Sequence, residues 1–193
     1  MDKNQKLELI FNAIRKAYPG RTLVFYDGSP DAEIMIIGEA PGPDEERLGK
    51  PFVGRAGKLL NSTLEMLGWQ RTDFYITNVV KYRPRDALGN TITPSPKEIE
   101  KFRPALEKEI EVINPKLIVL LGRVAMLGLG IEGTMAENRG KVIERSGSPL
   151  PDGSRGPTRK ILITYHPAAI LRNINWEPMF REDLSKMAEL IRQ

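Results

Sequence analysis

Hydrophobic and polar positions follow two different periods along the chain, and each period predicts its own kind of element. Apolar residues at helical spacing predict helices over 5–18, 55–68, 96–113 and 178–192, with a shorter helix over 122–127. Short, almost wholly apolar runs predict strands covered on both faces, over 33–38, 74–80, 117–121 and 161–165. Segment 130–160 is rich in glycine, serine and proline, and we expect it to form an irregular hairpin.

The order of these elements predicts an α/β fold. Strands that alternate with helices are joined by right-handed crossovers and form a mainly parallel sheet. Because the strands are apolar throughout, we expect helices on both faces of the sheet. The prediction is therefore a three-layer α/β/α architecture with a central four-stranded, mainly parallel sheet. A length of 193 residues fits one domain over 1–193.

Composition narrows the chemistry that the chain can perform. The absence of cysteine excludes disulfides and thiol catalysis, and a single histidine excludes multi-histidine metal sites. No D-x-D pattern supports a carboxylate-bound ion such as Mg²⁺, so no metal site is predicted. The net charge of +4 is compatible with a polyanionic partner. Without an apolar run near the roughly 20 residues of a membrane span, and without a signal-peptide pattern, we expect a cytoplasmic protein that does not contact membranes.

Polar residues follow each predicted strand. The segments after the four strands are 38–42 (G-E-A-P-G), 77–78 (T-N), 122–123 (G-R) and 166–167 (H-P). Because parallel strands end at one edge of the sheet, a carboxylate, a carboxamide and the only imidazole should meet in one crevice. Taken singly, His166 is equally well explained as a satisfied core or surface histidine, and Asn78 as a strand-end turn residue. The expected meeting of the carboxylate, the carboxamide and the imidazole in one crevice favours a functional site.

This set of side chains is suited to cutting a base from its sugar. The sequence lacks a nucleophile with an adjacent base and the phosphate motifs G-x-G-x-x-G and G-K-S/T. The carboxamide of Asn78 can instead read the edge of a nucleobase, while Phe52 stacks on its face. His166 can donate to a carbonyl oxygen that gains negative charge, and Glu39 can orient water.

Three motifs resemble those of family 4 uracil-DNA glycosylases. Residues 38–60 read G-E-A-P-G-P-D-E-E-x-x-G-K-P-F-V-G-R-A-G-x-L-L, residues 75–84 read Y-I-T-N-V-V-K-Y-R-P, and residues 166–173 read H-P-A-A-I-L-R-N. The similarity extends over nearly the whole chain in the same order. It implies a monofunctional enzyme of DNA repair that flips uracil out of DNA and hydrolyses its N-glycosidic bond.

The resemblance implies a role for each matching residue. Glu39 would position or activate water, Glu45 would support its loop, and His166 would stabilise the oxyanion at O2 of the base. The residues that would bind the base are Ala40, Pro41, Gly42, Phe52 and Asn78.

DNA that contains uracil is the partner that the resemblance implies, bound by a monomer. The segment that would wedge into the duplex consists of Ala169, Ile170, Leu171 and Arg172. Cations near the strand ends are expected to contact phosphates, although each is also explained as a solvated surface charge. They are Lys50, Arg55, Lys81 and, again, Arg172.

The chain departs from the resembled family at the cofactor. That family holds a 4Fe–4S cluster with four cysteines, and this sequence has none. By motif position, Tyr82 and Phe102 occupy two of those places, and Tyr18 with Arg15 occupies the N-terminal pair. We therefore expect no cofactor, and aromatic packing among Tyr18, Tyr82 and Phe102 in place of the cluster.

Two other functions remain open at this point. The same fold can act on hypoxanthine or another damaged base, although the amide of Asn78 suits N3–H and O4 of uracil. A non-catalytic nucleic-acid-binding module is favoured only by the charge, and such a module has no need for Glu39 and His166.

Overall fold

A mainly parallel sheet forms the centre of the computed structural model, which describes residues 1–147 and 155–192. Its strands are β1 (Tyr26–Gly28), β2 (Ile34–Gly38), β3 (Phe74–Asn78), β4 (Leu117–Leu121), β5 (Val142–Arg145) and β6 (Arg159–Thr164). In space they follow the order β1-β3-β2-β4-β6-β5. The inner strands β3, β2, β4 and β6 are parallel, while β1 and β5 pair antiparallel at the two edges. The predicted four-stranded parallel sheet is confirmed as the centre of this larger sheet.

Helices cover both faces of the sheet. Those within the described ranges are α1 (Lys3–Ala17), α2 (Pro43–Leu48), α3 (Arg55–Met66), α4 (Pro96–Ile113), α5 (Arg123–Gly128), α6 (Met135–Asn138), α7 (Pro167–Arg172), α8 (Glu177–Ser185) and α9 (Met187–Leu190), with 3-10 turns at Arg71–Asp73 and Ile174–Trp176. None of these helices combines the length and apolar character that crossing a membrane requires.

The alternation of side chains along β2 divides the core into two layers. Met35 and Ile37 pack in a cluster with residues of α1, α4 and α5. Ile34 and Ile36 point to the other face and pack with residues of α3, α7 and α8. All four side chains are buried, as expected for a strand that is covered on both faces. The three-layer α/β/α prediction is therefore confirmed.

Local signals set the bounds of α4. Ser95 caps its first turn by accepting from the backbone of Glu98, and Pro96 occupies the first helical position. At the other end, Asn114 adopts a left-handed conformation with φ of 54°, and Pro115 follows it. The observed helix coincides with the predicted one.

Other bounds differ from the predicted ones. Strand β3 ends at Asn78, two residues early, and the predicted C-terminal helix is interrupted between Ser185 and Met187. Helices α2 and α7 lie in segments for which the sequence predicts no helix. In the predicted hairpin, β5 pairs with β6 as one arm, while residues 148–154 of that segment lie outside the described residues.

Candidate active site

The predicted crevice exists at the carboxyl edge of the sheet. Gly38, at the end of β2, lies in register with Asn78, at the end of β3, and His166 follows β6 by two residues. A cavity of about 160 Å³ opens here. It is lined by Ala40, Gly42, Glu45, Phe52, Ala56, Asn78, His166 and Ala168. Six of the residues predicted for catalysis or base binding therefore share one cavity, and Pro41 lies buried beside them.

Phe52 is held rigidly against the cavity. Its backbone has φ of 52°, an uncommon conformation for a non-glycine residue, and its side chain is buried. A Cβ atom on Gly57 would lie 2.0 Å from the carbonyl carbon of Phe52, so only glycine leaves room for this path. Arg71 donates to the carbonyl of Phe52 at 3.2 Å. The ring lies 5.7 Å from that of His166, centroid to centroid.

Glu45 ties the loop after β2 to the start of α3. Its Oε2 accepts from the backbone N–H of Gly42 at 3.1 Å. Its Oε1 accepts from the N–H groups of Val53 and Gly54 at 2.9 and 2.8 Å. These bonds use both carboxylate oxygens within the protein, so Glu45 supports the loop and is not aimed at a ligand.

Asn78 lines the cavity and carries an unpaired polar atom. Its side chain is buried, and its Oδ1 has no hydrogen-bond partner among the described residues. A buried amide oxygen without a partner costs free energy. A ligand that donates a hydrogen bond to this oxygen would remove that cost.

His166 has a defined tautomer. Its Nδ1 accepts from the backbone N–H of Ala168 at 3.1 Å, so the proton of the neutral ring is on Nε2. Burial, aided by the nearby Arg172 cation, lowers the pKa of His166 from 6.5 to about 4. The imidazole is therefore neutral at pH 7, and Nε2–H is available as a donor.

Glu39 lies next to the same group of residues. Burial raises the pKa of its carboxyl, while the Arg172 cation and a hydrogen bond with Thr93 oppose that rise. Arg172 thus acts electrostatically on both Glu39 and His166. The carboxyl and the imidazole lie close enough to share one charged neighbour.

Two of the predicted DNA contacts are wrong. Lys81 has a completely buried side chain that pairs with Glu109 at 2.6 Å, so it cannot reach a phosphate. Ile170 is also buried, within the hydrophobic cluster beneath α7, so it does not belong to an inserting surface.

The other predicted DNA contacts lie at or near the surface. Arg55, Leu171 and Arg172 are exposed, and Ala169 is partly exposed. Lys50 is exposed too, although its Nζ lies 3.6 Å from Asp27.

Sequence reasoning missed Arg71. Its guanidinium donates to Asp27 at 2.6 Å and to Asn61 at 2.9 Å, as well as to the carbonyls of Pro51 and Phe52. The side chain therefore fixes the segment that carries the stacking ring. No local pattern marks Arg71, because its partners lie 10 to 44 residues away along the chain.

The predicted aromatic cluster is present. The ring centroid of Tyr18 lies 4.8 Å from Phe102 and 5.4 Å from Tyr82, and the rings of Tyr82 and Phe102 are 5.7 Å apart. Arg15 does not join them, because it pairs with Glu8 at 2.8 Å and lies over the ring of Phe25.

These residues do not fit an iron–sulfur cluster, since contacting rings occupy the place and no thiolate is available. Within 1–147 and 155–192, no group of three or more His, Cys, Asp or Glu side chains could hold a metal ion.

Comparison with known proteins covers nearly the whole chain. Residues 25–188 match the family model of the Uracil DNA glycosylase superfamily. The Type-4 uracil-DNA glycosylase of Sulfurisphaera tokodaii is 41% identical over 165 residues, which are 85% of this chain and 72% of that protein. Its counterpart in Archaeoglobus fulgidus is 40% identical over 171 residues, 84% and 79% of the two chains. That of Thermotoga maritima is 35% identical over 199 residues, 99% and 97% of the two chains.

Proposed function

The chain belongs to the uracil DNA glycosylase superfamily, and we propose that it hydrolyses the N-glycosidic bond of uracil in DNA as a monofunctional enzyme of base excision repair. One observation carries the proposal. The unpaired carboxamide of Asn78, the ring of Phe52 and the Nε2–H of His166 surround a single cavity at the sheet edge. The relatives named above are called uracil-DNA glycosylases. The proposed enzyme is a single-domain monomer that acts inside the cell.

The size of the cavity supports a single flipped base as its occupant. Sites for drug-sized ligands measure about 300–1,000 Å³, whereas this cavity is about 160 Å³. One ring fits such a space, with its sugar outside. The base must then leave the helical stack, at a cost of a few kcal/mol. Leu171, which is 41% exposed near the end of α7, would occupy the gap that the base leaves.

Recognition of uracil follows from the donors and acceptors around the cavity. The carboxamide of Asn78 has one acceptor and two donors, which match N3–H and O4 of uracil. Cytosine presents an acceptor and an amine at those positions, and the orientation that suits uracil does not suit it. Phe52 stacks on the face of the base, and the backbone from Ala40 to Gly42 lies along its edge.

The chemical step breaks the bond between C1′ of the sugar and N1 of the base. The electron pair passes to the base, where charge builds on O2, and the neutral imidazole of His166 donates to O2 through Nε2. Water attacks C1′, which gains positive charge, and Glu39 orients that water. The hydroxyl group of the water stays on C1′ of the sugar, and the proton that it releases neutralises the uracil anion.

We further propose that the fold needs no cofactor. The contacts among Tyr18, Tyr82 and Phe102 supply apolar burial at the place where the resembled family holds its cluster. Tyr82 adds a hydrogen bond to Glu98 at 2.5 Å. Burial and the hydrogen bond to Glu98 together raise the pKa of Tyr82 well above its usual range, so its hydroxyl stays protonated as a donor.

Purified protein incubated with uracil-containing oligonucleotides tests the proposal. Alkaline cleavage reveals abasic sites, and matched oligonucleotides with thymine, cytosine or hypoxanthine define the base. His166→Ala, purified identically, controls for contaminating glycosylases. We expect release of free uracil in the presence of EDTA, from a colourless preparation without iron. Cleavage of hypoxanthine alone, binding without cleavage, or activity lost to EDTA and restored by Mg²⁺ would contradict the proposal.

A further inference from the structure

A fully buried ammonium lies beside the end of the strand that carries Asn78. The side chains of Lys81 and Glu109 have no exposed surface, and Nζ lies 2.6 Å from Oε1 of the carboxylate. Nζ also donates to Oγ1 of Thr77 at 2.6 Å and to the backbone carbonyl of Asn78 at 2.8 Å. Three oxygen atoms therefore surround the cation, two of them from the last two residues of β3.

The partners of this ammonium are themselves fixed. Glu109 projects from α4, and its Oε2 accepts from the hydroxyl of Tyr75 at 3.0 Å. The hydroxyl of Thr77 donates its proton to the carbonyl of Phe25 at 2.7 Å, which leaves its oxygen to accept from Lys81. The network thus connects the end of β3 to α4 and to the segment before β1.

The residues that follow Asn78 are also hydrogen-bonded to the backbone of Gly38 and Glu39. The N–H groups of Val79 and Val80 donate to the carbonyls of Gly38 and Glu39, at 3.0 and 3.1 Å. Residues 78–81 are therefore held from one side by the strand end next to Glu39 and from the other by the ammonium. A shift of this segment would move Asn78 directly, and Glu39 through its carbonyl.

Stability alone is a weak reason for such a pair. Two charges removed from water lose their hydration, and apolar residues of similar volume can often replace a buried ion pair without loss of stability. The network satisfies backbone and hydroxyl oxygens at one place, the strand end that carries the carboxamide. Beyond stability, the network contributes a fixed position for the end of β3.

We propose that Lys81, held by Glu109, is a positioning residue that fixes the carboxamide of Asn78 in the orientation that accepts uracil. The inference rests on the proposed function. Neither side chain touches the cavity, so the effect passes through the backbone of Asn78. A displacement of about 1 Å at a catalytic or binding group can cost about 10²-fold in rate, and we expect an effect of that order.

The test replaces the pair together, with Lys81→Met and Glu109→Leu in one protein. The double variant removes both charges at similar volume but leaves the hydroxyl of Tyr75 and the carbonyl of Asn78 without these partners, so we expect its melting temperature to fall. Leu106→Ala is the matched control, because Leu106 is buried on the same helix and its truncation leaves a cavity while both charged side chains are kept. Single-turnover excision of uracil is measured where all three proteins are folded, together with affinity for DNA that carries an abasic site.

The proposal expects the double variant to lose about 10²-fold in single-turnover rate and to keep its affinity for abasic DNA. The control should keep the wild-type rate despite its lower melting temperature. A double variant that is folded and excises uracil at the wild-type rate would overturn the positioning role. So would a control that loses as much rate as the double variant.

A second measurement separates this inference from the proposed function. In protein labelled with ¹⁵N-asparagine, the carboxamide signals of Asn78 are assigned by their loss in Asn78→Asp. We expect one sharp pair in the wild type and in Leu106→Ala, and a broadened or doubled pair in the double variant. If wild-type protein fails to excise uracil, the proposed function is wrong, and these signals still decide the positioning role. Identical signals in all three proteins would reject it.

Discussion

Acidification should leave the imidazole of His166 neutral well below the pH at which an ordinary histidine gains its proton. Burial, with Arg172 nearby, lowers its pKa from 6.5 to about 4. Nδ1 already accepts from the backbone of Ala168, so protonation of Nδ1 would also break that bond. Since the chain has one histidine, a single set of imidazole signals reports this group without ambiguity.

The magnitude follows from the difference in pKa. In the unfolded chain, histidine binds its proton as the pH falls through about 6.5, while the folded protein binds it near 4. Between these values the proton favours the unfolded state. The stability that neutral His166 contributes is complete above about pH 6.5 and is lost as the pH falls toward 4. One unit of difference in pKa corresponds to about 1.36 kcal/mol, so the free energy of unfolding falls by at most roughly 3 kcal/mol over this range.

Two assays examine this expectation. An NMR titration of the imidazole should give a midpoint near the value of about 4. Urea unfolding across the same pH range should show a steeper loss of stability in the wild type than in His166→Gln, which keeps an acceptor for Ala168. The carboxyl groups of Glu39 and Asp183, whose pKa values burial raises, are present in both proteins. A midpoint near 6.5, or an excision rate that falls as the pH rises through 6.5, would refute the neutral-donor argument.

Three further outcomes are expected. Asn78→Asp should weaken the preference for uracil and admit cytosine, because a carboxylate accepts from the exocyclic amine; an unchanged preference across a panel of bases would remove Asn78 from recognition. Phe102→Ala should lower the free energy of unfolding in urea by about 3–5 kcal/mol, whereas Leu88→Ala, at a side chain 87% exposed, should change little. On duplex DNA, Arg55→Gln and Arg172→Gln should each reduce the salt slope of binding by about 0.9; equal slopes for wild type and variants would show that neither arginine contacts a phosphate.

Elements with local signals could be predicted from the sequence. Strand β4 and helix α4 match their predicted bounds, the first because it is wholly apolar and the second because Ser95 and Asn114 mark its ends. Helices α2 and α7 have only six residues each, too few to show a helical period. Edge strands β1 and β5 are shorter still, with three and four residues, and their pairing depends on strands elsewhere in the chain.

The site was predictable to the extent that it depends on strand ends. The rule that parallel strands end at one edge of the sheet predicts that Glu39, Asn78 and His166 lie close together. Lys81 was misplaced because a lysine that follows a strand looks like a surface charge, while its partner Glu109 lies on a helix 28 positions later. Arg71 was missed for the same reason. Ion pairs between distant parts of the chain leave no periodic trace in the sequence.

Two glycines beside Phe52 imply different evolutionary constraints. A Cβ atom at position 38 would meet the ring of Phe52 at 2.4 Å and Oδ1 of Asn78 at 2.5 Å, both of them side-chain atoms. At position 57 it would meet the backbone of Phe52 at 2.0 Å. A smaller side chain at 52 would relieve one of the two contacts at 38 but none of those at 57. Substitutions at 38 should therefore co-vary with those at 52 and 78 among descendants of this sequence, whereas position 57 should remain glycine for as long as the loop keeps its path.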